Sequence, residues 1–278
     1  MNRTLQFSTM HIILCFNFVL NSVKNEMNTL TKKSALLLKA PKEVGSGLIP
    51  TLNKMGYMTT FLDPYSEKFI KYASVCKEPI LEIGSAYGNV ALKALNNGAT
   101  VVSNDLDPRH LQILKNMCPK NALNRLHLVS GNFPEVILPF NYFDAILTVR
   151  VLHFLEGNTL RNFLSSCYDI LNTNGKLFVV ADTPYLKDWA SFLPTFEKRL
   201  QNKKTEWPGL IKNTRLFNSK HVHQLPKLMH WLDKDILQRE LKRAHFNIKD
   251  IQYINRFDYP PDVRLDGRES VGAIAIKL

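Results

Sequence analysis

The sequence predicts an α/β fold: a doubly wound, mostly parallel seven-stranded sheet with helices on both faces, a lid insertion and a C-terminal antiparallel hairpin. Three observations carry this expectation. Short apolar runs alternate with amphipathic segments between residues 79 and 182. A turn bearing two glycines, Gly84-Ser85-Ala86-Tyr87-Gly88, joins the first run to the first of these helices. An acid, Asp105, ends the second run.

The elements follow in order. Asp63-Pro64 starts a helix, since Asp accepts orphan amides and Pro suits the first turn; Phe69, Tyr72, Ala73 and Cys76 keep its spacing until Pro79. Residues 27–78 thus read as an N-terminal helical cover. Residues 80–83 form a buried strand, 90–95 a helix closing at Asn97-Gly98, and 100–105 a second strand. Asp107-Pro108 caps the next helix, and 126–130 and 143–149 are the third and fourth strands. Asn158 is read as the cap of a helix through Leu160, Phe163, Leu164, Cys167 and Leu171. That helix is expected to stop at Asn174-Gly175, before a fifth strand over 176–181. Residues 183–232 lose the pattern and read as a lid over the carboxyl edge of the core, 79–182. Asp233 then caps a closing helix, and strands at 246–253 and 271–277 form the hairpin within 233–278.

With 278 residues, 45% hydrophobic and 22% charged, the chain is long enough for a core that needs no metal or disulfide. Its four cysteines (15, 76, 118, 167) make no CxxC pair, which argues against a zinc ribbon or disulfide framework and fits a reducing compartment. No apolar run reaches the ~18 residues of a membrane span. The run at 10–20 leaves the status of residues 1–26 open between a signal peptide, a stretch before translation starting at Met27, and a packed helix. The net charge of +12 divides into +5 over 1–60, zero over 61–182 and +7 over 183–278. A neutral body with basic flanks points to an anionic partner, with Lys198, Arg199, Lys203 and Lys204 the densest run.

Glycine between a strand and a helix lets the backbone approach a ligand closely. Asp105, seventeen residues after Gly88, stands where an acid can accept both hydroxyls of a ribose. Together they point to an adenosine-containing cofactor. A pyrophosphate is disfavoured: the glycines read G-x-x-x-G, and Glu82 two residues earlier would repel it. A carboxylate there suits an ammonium or sulfonium.

On these residues the sequence resembles the class I S-adenosylmethionine-dependent methyltransferases, over about residues 79–182. The resemblance implies S-adenosyl-L-methionine as cofactor, held by Glu82, Gly84, Ser85, Ala86, Gly88, Asp105, Leu106, Asn132, Phe133 and Arg150. Asn132 takes the place of an acid facing the adenine amino group, and its carbonyl can accept the same bond. Ala86 replaces a glycine, Asn174 stands where glycine is frequent, and His245 replaces the glycine of an Ala-Gly-Phe helix ending. The stretch Phe143 to Phe154 is similar to the small-molecule branch, including quinone-biosynthesis enzymes.

The resemblance implies methyl transfer to a small or carrier-borne acceptor; the basic flanks predict that this acceptor is anionic, and a cytoplasmic cofactor predicts a cytoplasmic enzyme. His153, just past the fourth strand, is the expected base where the acceptor needs one, and Tyr185, with Tyr65, would line the transfer site. Each of these also fits plain packing. A nucleic-acid reading lacks its marks: Thr148-Val149-Arg150-Val151 stands where base-amino methylation uses Asn/Asp-Pro-Pro-aromatic, and Cys118-Pro119 reverses the Pro-Cys of cytosine methylation. RNA or protein methylation through the basic flanks, and a cofactor-binding module without catalysis, remain the alternatives. No metal is expected, because His221, His223 and His230 have no carboxylate in register.

Overall fold

A computed structural model describes residues 38–202, 204–218 and 226–278. The expectations for residues 1–26, and those for Lys203, His221 and His223, lie outside the described residues.

Five strands run parallel: β3 (Ile80–Ile83), β4 (Val101–Asp105), β5 (Leu126–Ser130), β6 (Phe143–Val149) and β7 (Leu171–Asp182). β10 (Asn247–Ile254) and β11 (Ser270–Ile276) join antiparallel, giving the seven-stranded order β10-β11-β7-β6-β3-β4-β5. The strand order reverses at β3, so its carboxyl end opens a crevice between connections that leave in opposite directions.

Helices α1 (Pro64–Ala73), α2 (Asn89–Asn96) and α3 (Pro108–Met117) share one apolar cluster with β3 and β4 through Phe69, Ala94 and Leu114. Helices α4 (Gly157–Ile170) and α6 (Lys234–Arg243) bury Phe163, Leu164, Leu237 and Leu241 in the other large cluster. The predicted caps hold for three helices: Asp63, Asp107 and Asp233 each accept amides of the following first turn. At the end of α6, His245 adopts φ 65°, and the amides of His245 and Phe246 donate to the carbonyls of Lys242 and Leu241. This is the glycine-type helix stop of the Schellman motif, carried by histidine.

Three local expectations are corrected. Asn158 does not cap α4; Glu156 occupies that position without a side-chain bond, and the helix begins at Gly157. Gly157 lies against the Trp207 ring, where a Cβ would collide. That helix also ends at Ile170 rather than at Asn174-Gly175. Residues 171–175 are drawn into β7 because Phe143 pairs with Leu171 on one side and Lys277 exchanges backbone bonds with Asn174 and Gly175 on the other. Finally, the described part of the cover before α1 is a small antiparallel ladder, β1 (Leu48–Pro50) with β2 (Tyr57–Thr59), not a helix.

After β7 the chain forms a 3-10 turn (Lys187–Phe192), helix α5 (Leu193–Gln201) and a two-residue ladder of β8 (Leu210–Ile211) with β9 (Met229–His230). Its Trp189, Phe192, Phe196 and Trp231 are buried in the same cluster as α4 and α6. The insertion is thus continuous with the core. No helix among the described residues is long and apolar enough to cross a membrane.

Candidate active site

A cleft of about 740 Å³ opens at the carboxyl ends of β3, β4 and β6. Glu82, Gly84, Ser85, Ala86, Asp105, Leu106, Asn132, Phe133, Arg150 and His153 all line it. A shallower depression around Glu67, Lys71 and Lys93 lies on the outer helix face and holds none of them.

The turn after β3 alternates into the left-handed region, with φ 75° at Gly84, 46° at Ala86 and 80° at Gly88. The amides of Gly84 and Ser85 donate to the Asn104 carbonyl at 2.9 and 3.0 Å, and the Ala86 amide donates to Asp105 Oδ2 at 2.8 Å. The loop is thereby clamped onto β4. Gly88 is not part of the cleft wall; it is the N-cap of α2, where a Cβ would collide with Leu114. Ala86 carries a Cβ in a conformation that disfavours one. Replacing Ala86 by glycine is expected to raise stability by about 0.5–1 kcal/mol, the steric relief exceeding glycine's added chain entropy. A lowered urea midpoint would contradict this.

Asp105 is buried and oriented from three sides. Besides Ala86, its carboxylate accepts from the Asp107 amide at 2.9 Å and meets His110 Nδ1 at 2.9 Å. Glu82 is buried, and its Oε2 has no hydrogen-bond partner. Burial pushes its carboxyl up to about 8, and the Asp105 charge adds to the rise, against a backbone hydrogen bond that lowers it. An acid with an orphaned oxygen facing this cleft is matched to a cation.

The far side of the cleft is built around Arg150, His153, Asp182 and Tyr259. Arg150 takes φ 57° at the end of β6. Its Nη2 donates to the Tyr57 carbonyl at 3.0 Å and its Nη1 to Tyr259 Oη at 3.5 Å, so it spans the cleft between the N-terminal ladder and the C-terminal loop. Tyr259 Oη in turn donates to Asp182 Oδ1 at 3.0 Å. His153 is buried beside Phe154 and Trp231, with Nδ1 unpartnered. Burial lowers its imidazole to about 4; Asp182 opposes that shift and Arg150 reinforces it. At neutral pH it is an uncharged acceptor.

Two expectations fail here. Tyr185 lies outside the cleft, edge-on to Phe196 and Tyr253 and beneath the Arg268 guanidinium, and burial raises its hydroxyl to about 12. It is a core residue, as is Tyr65, which packs against Gly272. The basic run is also misplaced: Arg199 donates to the carbonyls of Pro208 and Leu210, and neither Lys198 nor Lys204 lines the cleft. Among the described residues of the wall, Arg150 is the one Lys or Arg, against Asp63, Glu82, Asp105, Asp182 and Asp188. His230 is fully buried and bonds the Leu155 carbonyl through Nδ1.

Of the stretch from Asp182 to Tyr185 that follows the fifth strand, Asp182 lines the cleft and Tyr185 does not; sequence reading missed His110 and Tyr259. His110 had a signal, lying in the first turn of the helix that Asp107 caps, one turn from Asp105. Tyr259 had none, being 77 residues from Asp182 until β11 pairs with β7.

This crevice, glycine turn and acid-ended second strand, set in this sheet order, define the class I methyltransferase fold. Residues 81–179 match the family model of the methyltransferase domain. A demethylmenaquinone methyltransferase of Tropheryma whipplei (strain Twist) is 31% identical over 102 residues, which cover 37% of this chain and 41% of that protein. The chain therefore matches about two fifths of that relative's length. A ubiquinone biosynthesis O-methyltransferase of Pelagibacter ubique is 24% identical over 182 residues, 64% of this chain and 73% of that one. An S-adenosylmethionine dependent methyltransferase from Mesorhizobium loti shares the fold with a TM-score of 0.56 at 16% identity, covering 76% of this chain and 97% of that chain.

Proposed function

We propose that the protein is an S-adenosylmethionine-dependent methyltransferase acting in the cytoplasm on a small or carrier-borne acceptor. The observation that carries this reading is the pairing of Glu82, buried with an orphaned oxygen, and Asp105 on one wall of the crevice. Glu82 would face the methionine ammonium, Asp105 the ribose hydroxyls, and the Asn132 side-chain carbonyl the adenine amino group. S-adenosylmethionine supplies the methyl group, transferred in line from sulfonium to a nucleophile. The chain's own contribution is to hold the two reactants aligned and exclude water, which alone is worth up to ~7–11 kcal/mol.

Apolar side chains on the acceptor half, among them Met55, Phe61, Phe154, Trp189 and Met229, favour an acceptor with an apolar body. The two relatives, a demethylmenaquinone methyltransferase and a ubiquinone biosynthesis O-methyltransferase, support a small acceptor over a macromolecule. An anionic group on the acceptor would be met by Arg150, not by the lid. His153, neutral and lining the cleft, would accept a proton or hydrogen bond from an acceptor hydroxyl, with Asp182 favouring the imidazolium that forms.

Calorimetry with S-adenosylmethionine and S-adenosylhomocysteine tests the reading directly. One site per chain is expected, and no heat with either, or a preference for NAD, overturns it. If the acceptor is a hydroxyl, His153→Ala should lower kcat by roughly 10²–10⁴-fold and leave S-adenosylhomocysteine affinity unchanged. Unchanged turnover would assign His153 to packing.

A further inference from the structure

We propose that His110 is a positioning residue that couples occupancy of the Asp105 site to closure of the N-terminal ladder; this rests on the cofactor reading above. The ring is 1% exposed and bridges the N-terminal ladder to Asp105. Its Nε2 lies 3.0 Å from the Leu52 amide, which can only donate, so Nε2 carries no proton. The single proton of the neutral ring is therefore on Nδ1, 2.9 Å from Asp105 Oδ1. A directed chain results: Leu52 N–H to His110, His110 N–H to Asp105. Tyr87, edge-on to the imidazole at 5.0 Å, holds the ring in place and donates its own hydroxyl to the Pro50 carbonyl at 2.9 Å.

The ladder is the wall that this chain controls. Thr51, Asn53, Met55 and Tyr57, on or beside the β1–β2 connection, line the cleft opposite the glycine turn. A ligand hydroxyl donating to Asp105 shares one carboxylate with the His110 ring, so the placement of that carboxylate links the ligand to the ring. If closing the ladder strengthens ligand binding, the ligand must favour closure by the same factor. Motion of the ladder then reports on the cofactor site without any contact between Leu52 and the ligand.

Trypsin cleavage after Lys54, exposed at the tip of the ladder, measures this in the full-length protein when fragments are followed by mass spectrometry. The probe is S-adenosylhomocysteine. Cleavage of a segment that opens locally follows the population of the open form, so one lost hydrogen bond should appear as roughly tenfold. In the unaltered protein the probe should slow cleavage at Lys54 roughly tenfold or more. His110→Asn keeps a donor near the Nδ1 position and nothing at Nε2. Without ligand it should be cut roughly tenfold faster, and saturating probe should no longer protect Lys54 although it still binds. His110→Gln does the converse: Lys54 cleavage should stay near the original rate, while probe affinity falls roughly tenfold. A ring that merely fills space would make the two variants alike. That result, or full protection of Lys54 in His110→Asn, overturns the proposal. Leu52→Pro removes the same amide from the ladder side without touching the core. It must reproduce the His110→Asn pattern, which keeps the test decisive if a His110 variant fails to fold. Should the probe bind none of these proteins, the cofactor reading fails. Equal ligand-free cleavage of His110→Asn, Leu52→Pro and the unaltered protein would separately show that His110 does not hold the ladder.

Discussion

Asp105→Ala is expected to weaken binding of S-adenosylmethionine and S-adenosylhomocysteine by about 1.5–3 kcal/mol, the range for lost hydrogen bonds to a charged group, or roughly 10- to 150-fold. The structure adds a second consequence that the motif does not contain. Asp105 accepts from the Ala86 and Asp107 amides and from His110, so truncation leaves three donors without their acceptor inside the loop that shapes the site. A fall in thermal midpoint should accompany the loss of affinity, because unpaired buried donors cost about 1–3 kcal/mol each. Calorimetry at a temperature well below the variant's midpoint separates the two effects. Unchanged affinity there would remove Asp105 from the cofactor site, and with it the central inference from the motif.

The second large effect concerns a proton. Burial pushes the Glu82 carboxyl up to about 8 in the ligand-free fold, against about 4.3 for an exposed glutamate. Near pH 6.5 the side chain is therefore protonated. A methionine ammonium beside it favours the carboxylate, so binding should release close to one proton from this group. Calorimetric heats measured at pH 6.5 in buffers of different ionisation enthalpy count that proton. Glu82→Gln should lose this release and bind S-adenosylmethionine more weakly. Equal proton release in the two proteins would assign the acid a structural role.

Linkage gives an independent check without ligand. A carboxyl whose pKa is raised on folding contributes stability that is full below the unfolded value, near 4.3, and is lost as pH rises through about 8. Within that window the slope attributable to one group is at most about 1.4 kcal/mol per pH unit. The stability of Glu82→Gln relative to the unaltered protein should thus improve steadily from pH 5 to pH 8. A difference that stays flat with pH would contradict the burial argument.

How the site was read from the sequence divides along a physical line. Glu82, Gly84, Ala86 and Asp105 could be recognised because a strand–turn–helix unit is built from neighbours in sequence. The turn's left-handed positions and the acid at the strand end follow from local backbone geometry. The same holds for the caps at Asp63, Asp107 and Asp233, where a side chain reaches amides two or three residues away. Tyr185 was misassigned for the opposite reason. Following a strand edge places a residue near the crevice only if the chain continues toward it. Here Leu186 bridges to Arg264, and the ring turns under Arg268 into the core.

By itself, then, the sequence determined the sheet, its glycine turn, the acid that ends the second strand of the core and the carboxylate two residues before the turn, since each is encoded in short-range spacing. Only the tertiary structure decided which charges share the cleft. Arg199 is spent on backbone carbonyls and Lys198 is exposed outside the cleft, while Arg150 stands among five acids. It also decided where α4 ends, through strand pairing at Leu171. And it brought Leu52 to His110, 58 residues apart, and Tyr259 to Asp182, 77 apart. Charge and hydrogen-bond partners over such separations depend on how the layers pack, and packing is a property of the whole chain that no local pattern carries.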